Sequence, residues 1–140
     1  MSPVLVLDGH PNPASLTAAL ADSYAAGAEA VGSAVTRLTV RDLDFDPILH
    51  GGYRGHQPLE PDLVRAQELI AESAHLALFT PLWWGSTPAL LKGFFDRVFE
   101  AGWAYHYEGS MPKGHFTGRS ARADDDLAFQ TARADALGGH

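Results

Sequence analysis

Three short apolar runs, each handing over to a stretch with helical spacing, limit what this chain can fold into. Residues 3–7 (PVLVL) are continuously apolar, the pattern of a strand covered on both faces. Residues 33–40 (SAVTRLTV) alternate and are rich in β-branched side chains, and residues 75–80 (HLALFT) again look buried. The segments between them, residues 14–31 and 60–73, are predicted helices. In the second, Pro61 stands early in the first turn and Leu63, Ala66, Leu69 and Ile70 face inward. A third helix is predicted from Thr87-Pro88, with Leu90, Leu91, Phe94, Phe95, Val98 and Phe99 on one wide apolar face, and Gly102 ending it. Strands alternating with helices need crossover links, which make neighbouring strands parallel and place helices on both sheet faces. The expected architecture is α/β: a doubly wound parallel sheet with three strands in the order 2-1-3.

The pattern stops near Arg122. Residues 118–122 (GRSAR) lead toward a fourth strand, but ADDDLAFQTARADALGGH follows in place of an apolar run. Three consecutive aspartates are costly to desolvate in the centre of a covered strand. The expectation is therefore a domain over residues 1–122 with later strands missing, and a tail over residues 123–140 with weak helical character between 126 and 137.

Composition narrows the function. Ten Lys and Arg against 17 Asp and Glu give a net charge of -7, the wrong sign for a phosphate backbone, so no nucleic-acid partner is expected. The absence of cysteine excludes disulfides, thiolate nucleophiles and Cys-ligated zinc; with no basic leader before the first strand, it fits a cytoplasmic protein. No apolar run approaches the roughly 18 residues needed to span a bilayer, so no membrane insertion is expected.

Two turns carry the candidate chemistry. The first, Asp8-Gly9-His10-Pro11-Asn12-Pro13-Ala14-Ser15-Leu16-Thr17, joins a strand end to a helix start. Free amides and hydroxyls at such a junction can hold a phosphate, and His10, Ser15 and Thr17 have suitable chemistry. The turn is neither GxGxxG nor a P-loop, and the same residues also suffice as an ordinary helix cap. The second is Trp83-Trp84-Gly85-Ser86, after the third strand. With strand order 2-1-3 the two turns lie side by side at the carboxyl edge, where doubly wound sheets bind ligands. A ligand with a phosphate in the first turn and a flat ring against the second would fit; tryptophans filling a core or a partner surface are the alternative. Further on, Trp103, Tyr105 and Tyr107 alternate along an extended segment, either to stack on a substrate or to staple a hairpin to the domain.

Other residues offer less. His50 and His56 flank a glycine-rich loop over residues 51–58, but no carboxylate or third histidine stands at ligand spacing, so no metal site is expected. Ser86 and Ser110 lack a base and a nucleophile elbow. Lys92, Asp96, Arg97 and Glu100 are expected to form a solvated helix face with spaced opposite charges.

Four stretches together resemble the NAD(P)H:quinone oxidoreductases of the flavodoxin-like fold, including potassium-efflux ancillary subunits and drug-activity-modulator-type quinone reductases. They are the first strand through His10-Pro11 and Ser15-Leu16-Thr17; Asp44-Phe45-Asp46-Pro47-Ile48; residues 81–99 (PLWWGSTPALLKGFFDRVF); and Trp103-Ala104-Tyr105-His106-Tyr107 with Pro112-Lys113-Gly114. The resemblance implies a flavin, FMN or FAD, with its phosphate at His10, Ser15, Leu16 and Thr17 and its ring on Pro81, Leu82, Trp83, Trp84 and Gly85. It implies Trp103, Tyr105 and Tyr107 at the substrate pocket, across a homodimer interface in many members. The chemistry implied is two-electron hydride transfer from NAD(P)H to a quinone-like acceptor, with no catalytic side chain. Members of this family continue into a fourth strand, a Thr-Thr-Gly-Gly-like loop, a fifth strand and a last helix, which the sequence does not match. A catalytically weak regulatory or dimerising subunit is the alternative reading.

Overall fold

The computed structural model describes residues 3–100, 103–108, 111–114 and 120–124, with backbone alone at 105–108, 111–114, 121 and 124. In chain order the elements are β1 (Val4–Asp8), α1 (Leu16–Ala30), β2 (Val35–Thr39), a 3-10 turn (Val40–Asp42), α2 (Pro61–Glu72), β3 (His75–Phe79), α3 (Ala89–Val98), β4 (Tyr105–Glu108), β5 (Met111–Gly114) and β6 (Ser120–Asp124). The main sheet has the order β2-β1-β3-β6, with every pairing parallel. Val4 stands opposite Val35 and His75, and Asp8 opposite Thr39 and Phe79, so the first three strands end level. The turns that follow β1 and β3 therefore leave the same edge as neighbours. Strands β4 and β5 form a separate antiparallel pair.

Alternation along β1 divides its side chains between two cores. Val6 joins Ala77 and Phe79 beneath α1, whose Ala21 and Ala25 present no bulk and let the helix sit close. Leu5 and Leu7 join Leu38, Val40 and the inner faces of α2 and α3, including Leu63, Ile70, Leu91, Phe94 and Val98. Burying each such side chain stabilises by about 1.5–3 kcal/mol. The apolar face expected on α3 is present, with Leu90, Phe95 and Phe99 packed at its margin. Gly9 admits this helix: a Cβ there would stand 2.6 Å from Leu91 Cδ2. The helix closes at Val98, earlier than expected, and Gly102 lies outside the described residues.

The sheet has a fourth strand where the sequence reading ended at three. Ser120 to Asp124 pair residue by residue with His75 to Phe79, and His75 Nδ1 meets Ser120 Oγ at 2.7 Å. Aspartates are costly only in a strand covered on both faces. Here Ser120, Arg122 and Ala123 are exposed, so this edge position makes backbone bonds without burying their side chains. The expected helical character between residues 126 and 137 falls outside the described residues.

Arg97 also departs from expectation. Lys92 and Asp96 do pair across one helical turn, but the Arg97 side chain is only 1% exposed. It donates to Asp46 O at 2.5 Å, to Pro58 O at 2.9 Å and to Glu60 Oε1 at 2.7 Å. Glu60 in turn accepts from Asp46 N at 2.5 Å, and the Arg97 guanidinium holds its carboxyl below the ordinary glutamate range. One guanidinium thus gathers both ends of the link between the 3-10 turn and α2. Backbone carbonyls need donors, and a guanidinium supplies charge-assisted ones to both, which draws the cation inward rather than leaving it on a solvated face.

Candidate functional site at the carboxyl edge of the sheet

The turn after β1 is built by a chain of local bonds. Asp8 Oδ1 accepts from His10 N at 3.0 Å, His10 Nδ1 from Asn12 N at 2.9 Å, and Asn12 Oδ1 from Ala14 N at 2.9 Å. Acceptance at Nδ1 puts the proton of the neutral ring on Nε2. Ser15 caps α1, its Oγ accepting from Ala18 N at 3.1 Å. Ala19 N bonds Ser15 O. Leu16 and Thr17 then supply the leading amides of the helix, which have no intrahelical acceptor and carry the positive end of its dipole. Thr17 is buried, whereas the Leu16 side chain is 61% exposed beside the turn.

Beneath the turn lies an ion pair that sequence reasoning missed. Arg41 Nη1, from the 3-10 turn after β2, donates to Asp8 Oδ2 at 2.8 Å and to His10 O at 3.1 Å. The signal was present: an aspartate directly after a buried run needs a partner, since carboxylates are seldom buried unpaired.

The turn after β3 is a two-residue hairpin. Trp83 N donates to Ser86 O at 2.8 Å and Ser86 N to Trp83 O at 3.0 Å, with Trp84 at φ 56 and Gly85 at φ 71. Both central residues are left-handed, as in a type I′ turn. Trp84 is the one non-glycine residue with positive φ among the described residues, a conformation that costs on the order of 1–2 kcal/mol. It is also fully exposed, and Trp83 is 44% exposed, so this strain holds an indole out of the core. Pro81, just before the hairpin, is buried and Leu82 partly so.

The two turns touch. The rings of His10 and Trp83 meet edge to face, centroids 5.4 Å apart at 86°. Ser15, Leu16 and Thr17 lie on one side of this contact in the chain, and Pro81, Leu82, Trp84 and Gly85 on the other. The Trp103 ring stands 5.8 Å from that of Phe99, at the margin of the core. Tyr105 and Tyr107 pair in backbone with Gly114 and Pro112, and their side chains lie outside the described residues.

The donor set fits a phosphorylated flat ligand. Leading helix amides suit the anion, and an apolar wall with an exposed indole suits a ring. Thr87 Oγ1, at the end of that wall, is buried without a protein partner.

His50 differs from expectation. The carboxylate of Asp46, four residues before it, lies 2.6 Å from its Nε2; the Ile48 amide first, and then His50, hold that carboxyl below its ordinary range. Among the described residues no group of three His, Cys, Asp or Glu side chains is placed to hold a metal ion.

Level parallel strands, crossover helices on both faces and two touching turns at the strand-order reversal define a doubly wound α/β protein, whose candidate site is the carboxyl edge where such folds bind ligands. Residues 2–123 match the flavodoxin-like fold family, and the chain belongs to that family. It is 43% identical over 63 residues to NAD(P)H dehydrogenase [quinone] 1 of Cavia porcellus, covering 45% of this chain and 23% of that one. It is 33% identical over 108 residues to the uncharacterized NAD(P)H oxidoreductase YcaK of Escherichia coli, covering 74% of this chain and 55% of that one. The NAD(P)H:quinone oxidoreductase of Methanothermobacter marburgensis shares the fold, with a TM-score of 0.72 at 24% identity over 98% of this chain and 78% of that one. The chain thus spans about half the length, or less, of these curated relatives.

Proposed function

We propose that the chain is a flavin-dependent NAD(P)H oxidoreductase that reduces quinones or similar small acceptors by two-electron transfer. The contact between His10 and Trp83 carries this reading, because it joins an anion-suited helix start to an exposed aromatic wall in one site. The names of the curated relatives support the NAD(P)H and quinone parts.

His10, Ser15 and the amides of Leu16 and Thr17 hold the phosphate, while Pro81, Leu82, Trp83, Trp84 and Gly85 pack on the ring. A bound flavin, FMN or FAD, would supply the two-electron hydride chemistry between a nicotinamide and a quinone-like acceptor. The protein's share is orientation and exclusion of water. Leu82 and the two indoles provide an apolar surface, and the hairpin keeps the Trp84 ring from folding back onto the core. Trp103, Tyr105 and Tyr107 line the acceptor pocket in a homodimer. The test is oxidation of NADH and NADPH by the purified, flavin-loaded protein with and without a soluble quinone. Quinone-stimulated oxidation is expected, and none with either nucleotide would overturn the reading.

Trp84 favours a second reading. A fully exposed indole, with Leu16 also exposed, is what a partner surface needs, as in a dimerising or regulatory subunit that holds flavin poorly. Stable dimers without flavin uptake would establish it.

A further inference from the structure

We propose that Arg41 is the positioning residue that lets the turn after β1 accept a phosphate, by cancelling the charge of Asp8 beneath it; this rests on the flavin reading above. Asp8 closes the central strand with its side chain only 4% exposed, and its carboxylate is bound to the backbone of His10, within the turn assigned to the anion. A bare carboxylate there would oppose any phosphate on the amides of Leu16 and Thr17. At an effective dielectric of ~20, one unit charge within several ångströms changes affinity by an order of magnitude or more. The Arg41 guanidinium removes that opposition through its 2.8 Å bond to Oδ2.

The same Nη1 bonds the His10 carbonyl at 3.1 Å, so the cation also ties the turn to the exit of β2. Two segments distant in sequence, the end of β1 with its turn and the 3-10 turn after β2, are thereby locked at one point. Arg41 acts through Asp8 and His10, so its effect falls on the phosphate and not on the ring.

That separation sets the experiment. Affinities of the purified protein for FMN, FAD and riboflavin, which has the ring and no phosphate, are measured by quenching of flavin fluorescence. Arg41→Gln is expected to weaken FMN and FAD at least about tenfold while riboflavin shifts no more than about twofold, since a merely loosened fold would weaken all three alike. Asp8→Asn combined with Arg41→Gln replaces the ion pair with a neutral hydrogen-bonded pair and is expected to restore most of the preference for the phosphorylated flavins. Arg41→Lys, which keeps the charge, is expected to retain it. Should Arg41→Gln fail to fold, the double variant and Arg41→Lys still decide: loss of preference in either overturns the assignment. A preference for FMN or FAD that Arg41→Gln keeps overturns the role of Arg41 and leaves the flavin reading standing. A wild type that binds riboflavin as tightly as FMN and FAD overturns the phosphate placement, and Arg41 with it.

Discussion

Replacing Arg97 with methionine removes every polar contact of a side chain that is 1% exposed while keeping most of its volume and its apolar stem. The carbonyls of Asp46 and Pro58 each lose a charged donor, and Glu60 loses its ion pair. Removing one partner of a fully buried pair costs about 3–5 kcal/mol. Glu60 keeps 29% of its side-chain surface and can rehydrate, which discounts that figure. Two charge-assisted bonds to carbonyls add about 1.5 kcal/mol each, the low end for a charged donor, and the methionine recovers part through apolar burial. The expected net loss is about 2–3 kcal/mol, a large share of a typical 5–15 kcal/mol. At roughly 3–5 °C per kcal/mol for a domain of this size, Tm falls by about 6–15 °C. Urea titration followed by tryptophan fluorescence measures it directly. The pH dependence gives a second check. Arg97 holds the Glu60 carboxyl below its ordinary range, so this contribution is complete above that range and is lost as pH falls through the lowered value. The gap between wild type and variant should therefore narrow in acid. A loss below about 0.5 kcal/mol at neutral pH, with an unchanged urea slope, would refute the clamp.

Gly93→Ala gains about 1 kcal/mol of helix propensity but sets a Cβ 2.5 Å from Pro47 O, against a rigid prolyl backbone, so melting should show a net loss of about 1–3 kcal/mol. A stabilised variant would mean that the link over Pro47 yields freely. Gly85→Trp sits at φ 71 with open space around its Cβ, so the chain should fold with about 1 kcal/mol of strain and lose its flavin; unchanged flavin content would move the ring elsewhere. Tyr105→Ala should raise the quinone KM with flavin retained, and wild-type values of both would make this tyrosine structural.

The order of strands and helices and the meeting of the two turns were legible because hydrophobic spacing and crossover geometry are local rules. What was missed depends on partners far along the chain. Arg97 reads as one more charge among Lys92, Asp96 and Glu100, and its acceptors lie 51, 39 and 37 residues away. Asp8 and Arg41 are 33 apart. The aspartates after Ser120 argue against a covered strand, yet an exposed edge needs only backbone pairing. The left-handed Trp84 is hidden for another reason: the turn type it adopts ordinarily has Asn or Asp before its glycine, so Trp-Gly gives no warning. The pair between Asp46 and His50, by contrast, is local, only four residues apart in the sequence.

Releasing whatever the purified protein carries, by denaturation, and identifying it tests the central claim most directly. The expected result is a yellow protein that yields FMN or FAD, or a colourless one that takes up one of them on incubation and turns yellow. A colourless protein that takes up neither would show that the joined turns after β1 and β3 do not hold a phosphorylated flavin.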